Sequence, residues 1–95
     1  MHFYVYILAN WPDSPMYVGM TDDIARRAWE HREHVRRGFT DRYKIERLVW
    51  YEPHDTRDTA FVRERQIKKW NREWKNRLVR ETNPGWEDLY LTLNC

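Results

Sequence analysis

Cysteine is almost absent from this sequence: the 95 residues include one, Cys95, at the C-terminus. A single cysteine excludes an intramolecular disulfide, and with it the small secreted domains that disulfides hold together. The N-terminal residues lack the basic, apolar and small-residue order of a signal peptide. No apolar run approaches the roughly 18 residues that a membrane-spanning helix requires. We therefore expect a cytoplasmic protein that does not enter a membrane.

Internal repeats, low-complexity segments and a flexible linker are also missing, so residues 1–95 are predicted to form one domain. Six tryptophans, six tyrosines and three phenylalanines supply bulky rings for its core. Charged residues make up 34% of the chain, yet the formal net charge is only +2. Lysine and arginine residues are concentrated in two stretches, 26–47 and 57–80. This distribution fits either a basic face that binds nucleic acid or two solvated helices.

Residue patterns along the chain predict an α+β fold with the order β-β-α-β-α-α. Aromatic and β-branched residues at 3–8 and 16–19 predict a hairpin, whose loop at 10–15 contains two prolines. A polar connector is predicted at 39–43 and a third strand at 46–52, which Pro53 stops. The predicted result is a small sheet with helices packed against it.

The first helix is predicted over 22–37, with Thr21 as its N-cap and Gly38 just beyond its C-terminus. Its inward face follows helical spacing: Ile24, Ala28, His31 and Val35.

A second helix is predicted to start near Arg57. Its predicted inward face contains Ala60, Glu64, Ile67 and Asn71, with Phe61 alongside. The apolar stripe then shifts to Trp70, Trp74 and Leu78, which predicts a break near 70–71 and a third helix to Thr82. The segment 83–85 (NPG) is typical of a type II turn, and 86–91 is predicted to pack its Trp and Leu side chains onto the domain.

The stretch from Tyr17 to His31 combines groups that handle phosphate. A strand ends with Tyr17, and Gly19 permits a tight exit toward the first helix. At 100° per residue, Arg27 lies at the edge of the apolar face and His31 follows one turn later on the same side. The pattern therefore predicts that a phenol, a guanidinium and an imidazole point toward one surface.

Glu64 stands out because it occupies the apolar stripe of its helix, between Ala60 and Ile67. A carboxylate there must be protonated, paired or bound to a metal. An ion pair with Lys68, four residues later, is one interpretation. The other is a ligand for one hard divalent cation, which takes one or two carboxylates together with waters and substrate oxygens.

Several other side chains have both a structural and a chemical interpretation. Tyr6 and Tyr17 lie on the two hairpin strands, and their rings can simply pack or can orient and deprotonate a water. A phenol with an ordinary pKa of roughly 10 would need nearby cations for that second role. His31 can lie at the core edge or share in proton transfer, and Asn83 can be only a turn former.

Together these residues resemble the GIY-YIG nuclease family, in particular its small stand-alone bacterial members. Residues 4–6 (YVY) occupy the place of the first triplet and 17–19 (YVG) match the second. Arg27 and His31 fit the spacing of the arginine and the following His or Tyr of that family. Its glutamate block matches residues 60–68 around Glu64, and its asparagine matches Asn83. One departure is Tyr4, which replaces the glycine of the first triplet.

The resemblance implies a GIY-YIG-like three-stranded, mainly antiparallel sheet flanked by helices, and a metal-dependent DNA endonuclease. In that family pattern a single Mg²⁺ or Mn²⁺ lies on Glu64, Tyr6 or Tyr17 activates water and Arg27 neutralises charge on the phosphorus. His31 assists, and Gly19 and Asn83 support the site. We take Arg26, Lys68 and Lys69 as candidate nucleic-acid contacts.

The resemblance also implies that sequence specificity comes from attached recognition domains, for which 95 residues leave no room. We therefore expect DNA binding without strong sequence specificity, or a protein partner that supplies it, with a role in DNA repair or recombination. The alternatives are a non-catalytic nucleic-acid-binding module and a module that docks a protein partner through exposed tryptophans.

Overall fold

The computed structural model describes residues 2–35 and 38–93. Its elements are β1 (Phe3–Leu8), β2 (Tyr17–Thr21), α1 (Ile24–Arg32), α2 (Phe39–Arg42), β3 (Leu48–His54), α3 (Arg57–Lys68), α4 (Arg72–Thr82) and a 3₁₀ turn (Leu89–Thr92). The α+β prediction is confirmed, and the short helix α2 takes the place of the predicted polar connector. Within these two ranges no helix is long and apolar enough to cross a membrane. Cys95 lies outside the described residues.

The three strands form an antiparallel sheet in the order β2-β1-β3. The central strand β1 is apolar on both faces because both faces are covered. Tyr6 of β1 lies opposite Gly19 of β2 and opposite Tyr51 of β3. Since directly opposed residues share a face and side chains alternate along a strand, Tyr6, Tyr17 and Gly19 belong to the same face.

Each face of the sheet has its own hydrophobic cluster. On the face of Tyr6, α1 packs through Ile24 and Ala28, together with Ile45 and Leu48. The opposite face is covered by α3 and α4. Its cluster includes Val5, Ile7, Val18, Ala60, Ile67, Val79 and Trp86. The sheet is therefore the middle layer between α1 on one side and α3 with α4 on the other.

The first helix begins later and ends earlier than its pattern predicts. Asp23, and not Thr21, is the N-cap, and its side chain accepts a hydrogen bond from the backbone N–H of Arg26 at 3.1 Å. Thr21 is the last residue of β2 and accepts from the Asp23 N–H at 3.1 Å. α1 ends at Arg32 because His34 adopts a left-handed φ of 55°. Val35 consequently turns away from the core and is 55% exposed; the predicted end at residue 37 lies outside the described residues.

The third strand continues through Pro53 to His54, so the prediction that Pro53 stops it was wrong. β3 is an edge strand, and the missing N–H of a proline is tolerated there. Pro53 pairs with Tyr4 of the central strand.

The break between α3 and α4 is where the shifted stripe predicted it. Asn71 does not face inward; it caps α4 by accepting from the Trp74 N–H at 2.9 Å. Two of the predicted inward aromatics face solvent, since Phe61 is 49% and Trp74 53% exposed. Each ring continues the apolar stripe of its helix beyond the part of the helix that packs against the sheet.

The segment after α4 forms the predicted turn but not the predicted type. The Trp86 N–H donates to the Asn83 carbonyl at 3.0 Å, which closes the turn. A type II turn requires a positive φ at Gly85. Positive φ occurs instead at Trp86, at 52°, whose ring is buried. The tail then packs Leu89 against the α1 side while Leu91 is exposed.

Candidate active site

Two tyrosine rings lie directly over Gly19. A Cβ atom built on Gly19 would lie 2.7 Å from the Tyr6 hydroxyl oxygen and 2.8 Å from Cε2 of Tyr17. The ring centroids of the two tyrosines are 6.2 Å apart. Gly19 is therefore glycine because the rings occupy the space of its side chain, which is a different reason from the tight exit predicted for it.

His31 completes a three-ring cluster with the two tyrosines. Its ring centroid lies 5.4 Å from that of Tyr17 and 6.0 Å from that of Tyr6. Its Nε2 is 3.3 Å from the Tyr6 hydroxyl, in a hydrogen bond whose direction depends on the imidazole tautomer. Ile24 and Ala28 hold α1 against the sheet and so present His31 to the strands. We define Tyr6, Tyr17 and His31 as the ring cluster.

Charged side chains on two helices affect the pKa of the Tyr6 hydroxyl. Burial is the main cause that raises the pKa of Tyr6 far above its ordinary value, and the neighbouring Tyr17 adds to it. The positive charge of Arg27 acts to lower this pKa, and the negative charge of Glu64 acts to raise it. Arg27 of α1 and Glu64 of α3 thus both lie within electrostatic range of the ring cluster, although their helices pack on opposite faces of the sheet.

Arg27 borders a polar depression at the end of β2. The depression has a volume of about 240 Å³ and is lined by Phe3, Met20, Thr21, Asp22, Arg27 and Arg57. The Arg27 side chain is 27% exposed, so it is largely ordered by the protein and still open to a ligand. Arg57, the first residue of α3, adds a second cation, which the residue patterns did not single out.

Glu30 is another residue that sequence reasoning missed. Its carboxylate is largely buried and lies 3.7 Å from Nε of both Arg27 and Arg26. The ion pair limits where the Arg27 guanidinium can point. Glu30 follows Arg27 by three residues and Arg26 by four, and this helical spacing could have predicted the ion pairs. The Arg26 side chain is 73% exposed, and its contact with nucleic acid stays a prediction.

Glu64 is mostly buried on α3 and pairs with a lysine. Its carboxylate lies 3.2 Å from Nζ of Lys68, and its side chain is 13% exposed. Arg65 and Lys69 line the same shallow surface depression as this pair. The predicted ion pair between Glu64 and Lys68 is therefore present, and the role of Glu64 as a metal ligand stays a prediction. No group of three or more His, Cys, Asp or Glu side chains suited to a metal occurs within residues 2–35 and 38–93.

Asn83 is a hydrogen-bonding hub between the C-terminal turn and β3. Its side-chain N–H₂ donates to the Val49 carbonyl at 3.0 Å and to the Glu87 carbonyl at 2.9 Å. Its side-chain oxygen accepts from the Glu87 N–H at 3.0 Å. These three bonds engage a side chain that is only 5% exposed. Asn83 is thus fixed to the sheet by backbone groups, whereas the ring cluster is formed by β1, β2 and α1.

Comparisons of this chain with known families, sequences and structures agree with one another. A family model described as the GIY-YIG catalytic domain matches residues 2–77, which includes Tyr6, Tyr17, Arg27 and Glu64 and ends before Asn83. A UPF0213 protein of Haloquadratum walsbyi is 38% identical over 80 residues, which cover 84% of this chain and 89% of that protein. A UPF0213 protein of Staphylococcus saprophyticus is 32% identical over 78 residues, which cover 82% and 94% of the two chains. The solution NMR structure of a UPF0213 protein from Bacillus halodurans aligns with a TM-score of 0.56 and 29% identity over 93% of both chains.

Proposed function

The chain belongs to the GIY-YIG nuclease superfamily, and we propose that it is a divalent-metal-dependent endonuclease that hydrolyses phosphodiester bonds in DNA. The observation that carries this proposal is the convergence on the Tyr6 hydroxyl. Tyr17 and His31 contact the ring of Tyr6, and the charges of Arg27 and Glu64 act on its hydroxyl. A phenol and an imidazole can act in acid–base catalysis of phosphodiester hydrolysis, and a guanidinium and a carboxylate can stabilise charge and bind a cation.

Arg27 is the group that we assign to the scissile phosphate. Its guanidinium borders the depression at the end of β2 and is held from behind by Glu30. A planar fork of N–H donors grips two phosphate oxygens at once and neutralises the charge that grows on them during attack. Pairing with a buried carboxylate orders the side chain before substrate arrives, which lowers the entropic cost of binding.

The two tyrosines receive different roles. Because burial raises the pKa of Tyr6, its hydroxyl stays protonated and acts as a hydrogen-bond donor. Tyr17 is only partly buried whereas Tyr6 is 2% exposed, so we expect a water to reach Tyr17 more readily. We therefore assign the activation of water to Tyr17 and the positioning of His31 to Tyr6. To His31, whose Nε2 lies 3.3 Å from the Tyr6 hydroxyl, we assign the acceptance and return of the proton.

Glu64 fits the metal that the family implies. A single carboxylate suits Mg²⁺ or Mn²⁺, because a hard cation of this size is commonly held by one or two carboxylates together with substrate phosphate oxygens and waters. The Lys68 ammonium at 3.2 Å now neutralises Glu64 and would have to move aside for a cation. When bound, one divalent ion would polarise a phosphate oxygen.

Binding of the DNA backbone is assigned to exposed cations around the site. Arg26 lies beside Arg27 on α1, and Lys68 and Lys69 lie beside Glu64 on α3. Contacts of this kind are made to phosphates and carry no sequence information. We propose that the protein acts on DNA in the cytoplasm, in repair or recombination, and that any sequence specificity comes from a protein partner.

A nicking assay tests the proposal. The purified protein is incubated with single-stranded, duplex, flapped and branched DNA, and with RNA, in Mg²⁺, in Mn²⁺ and in EDTA. Arg27→Ala and Glu64→Gln are each expected to lower the Mg²⁺-dependent rate by about 100-fold or more, as loss of a charge-stabilising group does elsewhere. Glu73→Gln and Arg80→Ala remove an exposed ion pair of α4 and serve as matched controls.

The outcome separates an enzyme from a binding module. Cleavage that persists in either site variant, or in EDTA, would contradict the proposal. If no substrate is cleaved while DNA binding is salt-sensitive, metal-independent and unaffected by Glu64→Gln, the protein is a non-catalytic nucleic-acid-binding module. Capture of a protein in the absence of nucleic acid would instead favour a docking module.

A further inference from the structure

Two cations at the start of α4 line a depression beside β2, and we propose that they form a second phosphate-binding site, which receives a backbone phosphate flanking the scissile diester. The inference rests on the proposed function and specifies how that site holds its substrate. The depression has a volume of about 310 Å³ and is lined by Pro15, Met16, Tyr43, Arg72 and Lys75. It lies at the start of β2, because Met16 directly precedes Tyr17, the first residue of that strand, although Met16 packs with the hydrophobic cluster on the α3 and α4 face and Tyr17 with the cluster on the α1 face.

Arg72 is held in place by the loop that leads into β2. Its Nη1 donates to the Ser14 carbonyl oxygen at 2.6 Å, and Ser14 is only 3% exposed. This bond uses one of the five N–H donors of the guanidinium. The remaining donors can make the bidentate contact that arginine forms with phosphate. Arg72 is therefore pre-oriented for an anion in the depression.

Lys75 follows Arg72 by three residues and so lies on the same side of α4. Partial burial is the main cause that lowers the pKa of Lys75, and the positive charge of Arg72 lowers it further. Both cations also lie in the first turns of the helix, where the helix dipole disfavours positive charge. The placement is unfavourable for stability, which argues that it serves a ligand.

The usual compensation for such a pair is a carboxylate, and the described residues provide none. Neither Arg72 nor Lys75 has an Asp or Glu within ion-pairing distance in the described part of the chain. Glu73, which lies between them in sequence, pairs instead with Arg80 at 3.2 Å. A phosphate would supply the missing negative charge. Because Met16 of the depression and Tyr17 of the ring cluster are neighbours in the chain, the two sites lie at the same end of β2, and the occupant that we propose is a phosphate of the same bound strand.

The test measures DNA binding in the absence of cleavage. Fluorescence anisotropy with labelled DNA is recorded in EDTA between about 50 and 200 mM salt, so that the slope of log affinity against log salt can be compared between variants. The variants are Arg72→Gln, Lys75→Gln and the double variant. Arg80→Gln is the matched control, since it removes an exposed arginine from the same helix that already has a carboxylate partner.

The double variant is expected to bind about tenfold more weakly or worse at low salt, as loss of charge-assisted hydrogen bonds predicts. Its salt slope should be shallower by about 0.9, the contribution of one phosphate contact. Lys75→Arg should retain the wild-type slope. A slope in the double variant that equals those of the wild type and Arg80→Gln would overturn the inference.

Two further outcomes are distinguishable. Calorimetry with inorganic phosphate tests a free anion as the occupant: saturable phosphate binding that Lys75→Gln abolishes, with an unchanged DNA slope, would also overturn the inference. If Arg72→Gln does not fold, Lys75→Gln decides the matter, because its removal of like-charge repulsion favours folding. Absence of cleavage with the expected slope change would contradict the proposed enzyme and leave the phosphate site standing.

Discussion

Gly19→Ala is the substitution for which the structure gives the sharpest expectation. The φ of Gly19 is not in the left-handed region, so alanine is compatible with its backbone. On backbone entropy alone the change would stabilise the protein by about 0.4 to 1 kcal/mol. A steric clash opposes this gain, because the new methyl group would lie 2.7 Å from the Tyr6 hydroxyl oxygen and 2.8 Å from Tyr17 Cε2.

Both tyrosine rings would have to move, and both are constrained. Tyr6 is 2% exposed and packs against His31 as well as Tyr17. Overpacking of a well-packed core costs about 1 to 3 kcal/mol. After the entropic gain, the expected loss in the free energy of unfolding is about 1 to 2 kcal/mol. For a domain of this size that lowers Tm by about 4 to 16 °C.

Thermal and urea unfolding followed by circular dichroism measure this loss. Gly85→Ala is the matched control, because a Cβ there meets no atom closer than 3.5 Å and its φ is not positive; it should be neutral or slightly stabilising. A double-mutant cycle with Tyr6→Phe should recover part of the loss, since the closest contacting atom is removed. Wild-type stability of Gly19→Ala would refute the steric reasoning.

The remaining predictions concern pH and the C-terminal turn. Because burial raises the pKa of Tyr6 above its unfolded value, the unfolded chain loses this proton first and stability should fall as pH rises above about 10. Tyr6→Phe should weaken that fall, as measured by urea midpoints at about pH 8 and 11; equal pH dependence in both proteins would contradict it. Asn83→Ala leaves the Val49 carbonyl and the Glu87 N–H without their partner, so the free energy of unfolding should drop by about 2 to 4 kcal/mol. A change below about 0.5 kcal/mol, the usual range for surface substitutions, would count against the role of Asn83 as a hub.

Local patterns were sufficient for the order of the three strands and of α1, α3 and α4, although not for α2, and they supplied the candidate site residues. Strand alternation, the break near Trp70 and the residues matched to the GIY-YIG pattern are set by neighbours in sequence, whose period and capping chemistry act over one or two turns. The boundaries were less predictable. Thr21 and Asp23 both have capping side chains, and only the length of β2 decided that Asp23 starts α1.

The residue patterns alone were enough to identify a small α+β domain of the GIY-YIG type that contains a tyrosine, arginine and glutamate set. The packing of the elements showed that Tyr6 is the more deeply buried of the two tyrosines and that Gly19 is required by the rings above it. It also revealed Glu30 behind Arg27 and the paired cations of α4. These features depend on which side chains meet across strands and layers, and on how deeply each is buried. The spacing of residues along the chain shows the periodicity of one helix or strand at a time. Burial and the contacts between charged groups depend instead on how several elements pack together.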